Sequence, residues 1–228
     1  MDTLHTNWTR NAGFWLAFAP QITATVIASG TDQNMQIGGS AVTPRHVLNC
    51  SHAPYGAGQP LYFVDDTGTV IRRTVIDSVQ VSGDTHAALL DSNLPPSVHP
   101  FSVLPPSYTN QLATKRMAIQ GVGMNQTKQM FPKLIGISDV GLGAISASQW
   151  LGTDWNVDIH GGDSGHPIML LIGTNLVLVA HWHTGNGGDN YAFIEPQINA
   201  ALHYLSTNNG AASDYQLSTV NLSGYTSF

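Results

Sequence analysis

The sequence predicts an all-β protein with one short helix near its C-terminus. The chain is rich in short β-branched segments that are bounded by Gly, Asn, Asp or Pro, which is the usual signature of strands separated by turns. Many short strands of this kind favour a sandwich or barrels. Eight segments carry the signal: QITATVIASG, LYFVDD, VIRRTVIDSVQVSG, HAALLDS, KRMAIQGVG, KLIGISDVG, HPIMLLIG and NLVLVAHWHTG.

Turn and proline signals divide these strands into two halves. The segment DDTG predicts a hairpin turn in which Gly68 adopts a positive φ. The segment NLPPSVHPFSVLPPS predicts an extended linker, because each proline removes a backbone donor and restricts its predecessor. We therefore expect one β domain over residues 1–106 and a second over 107–228, the latter including a polar, turn-rich C-terminal tail.

One helix is predicted after Pro196. Ile198, Ala201, Leu202 and Leu205 recur at helical spacing and give one apolar stripe. A proline in the first turn suits a helix start, because its missing N–H has no partner there in any case.

The composition narrows the classes of function that the protein can have. The 228 residues carry a formal net charge of −6 with only 8 Lys and Arg, so the basic surface that nucleic-acid binding requires is not expected. Neither a signal peptide nor a membrane-spanning segment is predicted. Cys50 is the only cysteine, which excludes an internal disulfide and favours an intracellular or virion-associated protein over a secreted one.

Two motifs contain residues typical of nucleophilic catalysis. The segment GGSAVTPRHVLNCSH ends at His52, and the segment GGDSGHP contains Ser164. Together, and in this order, they resemble the histidine and serine motifs of the trypsin/chymotrypsin-like serine protease family. HAALLDSNLP, IQGVG and LVAHWHTG resemble further segments of that family in the same order. The resemblance covers about residues 22 to 205.

The resemblance implies two antiparallel six-stranded β-barrels with the active site between them. It also implies a serine endopeptidase in which Ser164 is the nucleophile and His52 the general base. The backbone N–H groups of Gly162 and Ser164 would form the oxyanion hole, and a polypeptide would be the substrate. The alternative is an inactive relative that serves as a binding or virion-structural module.

The resemblance also implies a catalytic triad, in which an acid hydrogen-bonds to the histidine. This third member has two candidates. Ungapped matching to the family places His86 at the position of the acid, whereas Asp84 lies two residues earlier on the same face of an extended strand. We favour Asp84, because a carboxylate stabilises the imidazolium of His52 better than a neutral imidazole does. His86 remains the rival.

The specificity pocket also has conflicting signals. Asp158 lies six residues before the nucleophile, where trypsin-type enzymes carry the aspartate that binds Lys or Arg. The segment HTGNGG, from His183 to Gly188 and including Gly185, resembles the pocket strand of viral chymotrypsin-like main proteases, which select Glu or Gln. His181 and His183 lie on one side of their strand, so either could line the pocket.

No metal or cofactor is predicted from the sequence. His181 and His183 have the spacing of a ligand pair, and zinc would need two further ligands such as His160 or His166, but no cysteine or spaced carboxylate completes a recognisable set. His166 occupies a position where the family usually has glycine.

Overall fold

The computed structural model describes residues 19–29, 37–112, 118–124, 130–138, 141–143, 162, 164–183, 189–211 and 214–224. This part of the chain is mostly strand, with a short C-terminal helix and a sheet curled into a half-barrel. The expected all-β class is therefore confirmed.

The first sheet has six strands and is antiparallel throughout. Its hydrogen-bonded order is β1-β4-β5-β6-β3-β2. The strands are β1 (Ala28–Ser29), β2 (Ser40–Ala41), β3 (His46–Cys50), β4 (Pro60–Val64), β5 (Val70–Ser82) and β6 (Thr85–Leu90). Two register shifts in the long strand β5 are the kind of irregularity that bends a strand, and they accompany the curl of the sheet.

The β4–β5 hairpin turns where the sequence predicts it. Gly68 has a φ of +85°, a conformation that side chains with a Cβ rarely adopt. The buried carboxylate of Asp65 closes the turn by accepting the backbone N–H groups of Thr67 and Thr69 at 2.9 and 2.8 Å. Ser97 donates its hydroxyl to the same carboxylate at 2.9 Å, which ties the hairpin to the proline-rich segment.

The second sheet also has six strands, in the order β10-β9-β8-β11-β12-β7. They are β7 (Ser102–Val103), β8 (Ala118–Met124), β9 (Met130–Ser138), β10 (Gly141–Gly143), β11 (Pro167–Ile172) and β12 (Asn175–His181). All neighbours are antiparallel except β12 and β7. Because β7 precedes residue 106, the chain enters this sheet inside the segment expected to be a linker. Short 3₁₀ turns lie at Pro20–Ala24 and Pro106–Tyr108, and α1 spans Thr109–Leu112.

The predicted helix is confirmed as α2 (Glu195–Asn208). Its four stripe residues, Ile198, Ala201, Leu202 and Leu205, are all buried. The helix packs on β5 and β6 of the first sheet, so the C-terminal part of the chain contributes to the core of the N-terminal half. No helix in the described part of the chain is long and apolar enough to cross a bilayer.

Residues 214–224, in the polar segment expected to be a tail, pack against the rest of the protein. Leu217 and Leu222 are buried. The backbone of Val103 donates to Ser218 at 2.9 Å and accepts from Val220 at 3.0 Å. This segment therefore lies beside β7 and extends the edge of the second sheet.

Candidate active site

The register of two strands brings His52 and Asp84 together. In the first sheet Cys50, the last residue of β3, pairs with Thr85, the first residue of β6. The residues just beyond these ends face each other as a result. Ser51 donates its backbone N–H to the Asp84 carbonyl at 2.6 Å, and His52 donates its own to the Asp84 carboxylate at 2.9 Å.

A continuous hydrogen-bond chain joins Asp84, His52 and Ser164. The Nδ1 atom of His52 lies 2.9 and 3.1 Å from the two carboxylate oxygens of Asp84. Its Nε2 atom lies 2.9 Å from Oγ of Ser164. Since an ionised carboxylate only accepts, Nδ1 carries the proton in a neutral ring and Nε2 accepts the serine hydroxyl proton. The arrangement can therefore deprotonate Ser164 as it attacks an electrophile.

The environment of Asp84 keeps its side chain ionised. The side chain is only 11% exposed, and burial alone would raise its pKa. The nearby ring of His181, and the hydrogen bonds from the ring and from the backbone N–H of His52, outweigh burial and hold the pKa of Asp84 well below its usual range. A charged carboxylate thus faces the His52 ring.

His86, the rival to Asp84, is not the hydrogen-bond partner of His52. It lies within β6, where it pairs with Asn49 of β3 and Gln80 of β5. Burial lowers the pKa of its ring. Its Nδ1 atom is buried and forms no hydrogen bond within the described residues.

The loop of Ser164, Gly165 and His166 is held against the first half of the chain. The carbonyl of Ser164 accepts the backbone N–H of Gly38 at 2.8 Å. On the other side, Gly165 donates to the Trp182 carbonyl at 3.0 Å, and Trp182 donates to the His166 carbonyl at 3.0 Å. These bonds fix the position of Ser164 relative to both sheets.

The glycine at position 38 makes room for His166. A Cβ on Gly38 would lie 2.3 Å from Cγ and 2.5 Å from the backbone N of His166. A Cβ on Gly165 would in turn lie 2.2 Å from the Gly38 carbonyl oxygen. His166 is fully buried, and its side chain packs directly against Gly38. Gly162, predicted to supply an oxyanion donor, has a φ of +103° that favours glycine.

His181 and His183 both face the Asp84 carboxylate. Their Nε2 atoms lie 3.7 and 3.3 Å from its Oδ2 atom. His181 is fully buried, and its Nδ1 atom is hydrogen-bonded to the hydroxyl of Tyr191, which is also buried. The ring of His183 is 38% exposed and meets the His52 ring edge-on, with centroids 5.6 Å apart. His181 and His183, which were expected in the specificity pocket, therefore lie beside the carboxylate of Asp84.

Asp189 holds the turn that carries Asp84, a role that the sequence analysis missed. Its carboxylate accepts the hydroxyl of Thr85 at 3.0 Å. A Cβ on Gly83 would lie 2.5 Å from the same carboxylate, so glycine permits the close approach. Gly83 has a φ of +49°. No sequence spacing signals this contact, because Asp189 lies over a hundred residues away.

Cys50 is a second residue that the sequence analysis did not connect to the site. It is fully buried at the end of β3. Burial first, and the nearby Asp84 charge second, raise the pKa of its thiol to about 11. One ligand-type atom from each of Cys50, His52 and Asp84 lies within 4.8 Å of the other two.

Two predicted pocket residues, Asp158 and Gly185, lie outside the described residues. No model of a known protein family matches the chain, and a search of curated proteins finds no significant match.

Proposed function

We propose that the protein is a serine endopeptidase that resembles the trypsin/chymotrypsin-like family. The observation that carries this proposal is the hydrogen-bond chain from Asp84 through His52 to Ser164, with each link between 2.9 and 3.1 Å. A nucleophile, a base and a group that orients the base are the parts that acyl transfer needs.

In the proposed reaction, Oγ of Ser164 attacks the carbonyl carbon of a peptide bond while Nε2 of His52 takes the hydroxyl proton. The oxyanion that forms accepts the backbone N–H groups of Gly162 and Ser164. When the C–N bond breaks, His52 returns the proton to the leaving amine and an acyl-enzyme remains. A water molecule, deprotonated by His52, then attacks the ester and releases the acid product and free Ser164.

Asp84 stabilises the imidazolium that forms in both steps. Its carboxylate is mostly buried and ionised, so it offers an opposite charge at hydrogen-bond distance when Nε2 gains a proton. His86 has no comparable contact with His52 and serves as a strand residue of β6.

We also propose that the two sheets represent two barrels of the chymotrypsin-like type. In the first half, the Val26 N–H donates to the Gly39 carbonyl at 2.8 Å, and Thr25 forms an isolated bridge with Ser40. These contacts support closure between the two ends of the first sheet, since β1 follows Thr25 and β2 begins at Ser40.

A fluorophosphonate probe tests the activity directly. We expect the probe to modify Ser164, identified by mass spectrometry of the labelled peptide, and Ser164→Ala to abolish labelling. Ser107→Ala serves as the control, because Ser107 lies in the 3₁₀ turn after β7. A folded wild-type protein that is not labelled would overturn the protease proposal and favour an inactive binding or virion-structural module.

The substrate class follows from a second test. A peptide-library digest that yields cleavage after Arg or Lys would assign Asp158 to the pocket. Cleavage after Glu or Gln would assign His183 or the loop that includes Gly185 to substrate binding. His181 is the weaker pocket candidate, because its ring is fully buried against Asp84 and Tyr191.

A further inference from the structure

We propose that Cys50, His52, Asp84 and His181 bind a single Zn²⁺ ion and that this ion blocks the serine site. The proposed metal site does not depend on the protease proposal, whereas the inhibition rests on the proposed function. Cys50 ends β3 and His52 follows it, Asp84 lies in the β5–β6 turn, and His181 ends β12.

Three of the donor residues already form a cluster, and the fourth lies beside one of them. Ligand atoms of Cys50, His52 and Asp84 lie within 4.8 Å of one another, and Nε2 of His181 lies 3.7 Å from Oδ2 of Asp84. Zinc bonds of about 2.0–2.3 Å place neighbouring ligands about 3.3–3.8 Å apart in a tetrahedron. The His181–Asp84 distance is too long for a hydrogen bond but equals a ligand–ligand spacing. Binding requires the His52–Asp84 contact, which is 2.9 Å, to open and the other donor atoms to move until all four reach one ion.

The buried ring of His181 also supports a metal site. Its ring is fully buried, and Nε2 forms no hydrogen bond within the described residues although it is directed at the Asp84 carboxylate. The opposite ring nitrogen is hydrogen-bonded to Tyr191. A histidine that binds a metal through one nitrogen commonly donates its other N–H to an oxygen, which fixes the ring orientation. Tyr191 is placed to accept that bond.

The charges and the ligand types also favour zinc. Binding replaces the thiol proton of Cys50 with the metal and releases the proton to solvent. The thiolate and the Asp84 carboxylate then neutralise the two positive charges of the ion in a largely buried place. One sulfur, two imidazole nitrogens and one carboxylate oxygen form a mixed set that suits Zn²⁺ and excludes Mg²⁺ or Ca²⁺, which prefer oxygen ligands.

Metal binding and catalysis compete for the same ring. In the triad arrangement Nδ1 of His52 donates to Asp84 and Nε2 accepts from Ser164. A ring nitrogen that binds Zn²⁺ can do neither, and a carboxylate bound to the ion no longer orients the imidazole. Zinc therefore removes the base without touching the nucleophile.

The test measures binding first and inhibition second. Cd²⁺ added to the metal-free full chain should give the ultraviolet charge-transfer band of a cadmium–thiolate bond with a stoichiometry of one, and Zn²⁺ should displace it. We expect Cys50→Ala to abolish the band, and His181→Gln to weaken Zn²⁺ binding by more than about 100-fold, because even loss of an outer partner typically costs about 10–100-fold. Tyr191→Phe should weaken binding by about 10–100-fold.

Two controls separate this site from other histidines. Ser164→Ala should bind Zn²⁺ as tightly as wild type, because its hydroxyl is not a ligand. His203→Asn removes an exposed histidine beside Asp214 and should also leave binding unchanged. The folding of each variant is compared with that of wild type by circular dichroism. Cys50→Ser replaces Cys50→Ala if the alanine variant is unfolded. Binding without a thiolate band, or equal binding in the Cys50 variant and wild type, would overturn the proposal.

Fluorophosphonate labelling then tests the inhibition. Zn²⁺ should slow labelling of Ser164 in wild type, and a chelator should restore the labelling rate. In the Cys50 variant the labelling rates with and without Zn²⁺ should be nearly equal. Labelling that Zn²⁺ does not affect would overturn the blocking role. If folded wild type binds Zn²⁺ but is never labelled, the protease proposal fails while the metal site stands.

Discussion

Asp84 contacts His52 twice, through the backbone and through the ring. One carboxylate oxygen accepts the His52 backbone N–H at 2.9 Å, and the other lies 2.9 Å from Nδ1 of the ring. The backbone bond fixes the carboxylate relative to the main chain, and the ring bond fixes the imidazole relative to the carboxylate. The orientation of the base toward Ser164 therefore depends on one side chain.

The first prediction concerns that side chain. Asp84→Asn should slow fluorophosphonate labelling of Ser164 by about 10³–10⁴-fold, because an amide can donate to Nδ1 and stabilise the wrong tautomer of His52. His86→Ala is the matched comparison from the same strand region and should label within about threefold of wild type. The labelling rate of each purified variant is measured under identical conditions. If His86→Ala slowed labelling and Asp84→Asn did not, His86 would be the third member of the triad.

The second prediction concerns Gly38, which lies against the loop of Ser164, Gly165 and His166. In Gly38→Ala the new methyl would lie 2.5 Å from the His166 backbone, so the loop must move. We expect a loss of about 1–3 kcal/mol in the free energy of unfolding and labelling at least about 100-fold slower, since a displacement of about 1 Å can cost that much.

Gly56→Ala is the control for that substitution. A Cβ at Gly56 would meet nothing within 4 Å, so both labelling and stability should remain close to wild type. Chemical unfolding and labelling rates are measured on the same preparations. Equal behaviour of the two alanine variants would contradict the proposed packing of the loop.

The positions of His52, Ser164 and α2 follow from local patterns, whereas the surroundings of Asp84 do not. Motif spacing identifies the histidine and the serine, and helical periodicity identifies α2, because each signal lies within a few residues. Cys50, His181 and Asp189 reach Asp84 only through strand register and loop packing. Side-chain alternation correctly places His181 and His183 on one side of their strand, but it does not reveal that Asp84 lies there. Asp158 and Gly185 lie outside the described residues, so their expected pocket roles remain predictions.

The third prediction concerns the buried carboxylate of Asp65. It accepts bonds from the backbone of Thr67 and Thr69 and from the hydroxyl of Ser97. Asp65→Ala leaves these donors without their partner, so we expect the free energy of unfolding to fall by about 1–3 kcal/mol. The neighbouring Asp66 is half exposed, and Asp66→Ala should change stability by less than about 0.5 kcal/mol. Equal losses in the two variants, measured by urea unfolding, would refute this role of Asp65.

The fourth prediction concerns His46, which links β3 to α2. Its Nδ1 atom lies 2.9 Å from the hydroxyl of Thr43, and its Nε2 atom lies 3.2 Å from the hydroxyl of Ser206 on α2. Burial first, and the charge of Arg45 second, lower the pKa of His46 from 6.5 to about 4. The ring is therefore neutral in the folded protein at neutral pH.

This shift predicts a loss of stability in mild acid. Between pH 6.5 and about pH 4 the unfolded chain binds a proton at His46 that the folded chain does not bind, so the free energy of unfolding falls as the pH falls through this window. The shift corresponds to a loss of about 3 kcal/mol. Urea unfolding at a series of pH values should show this decline in wild type and a smaller decline in His46→Gln. His203→Gln, which removes an exposed ring, should keep the wild-type slope, and a His46→Gln variant with that same slope would contradict the assignment.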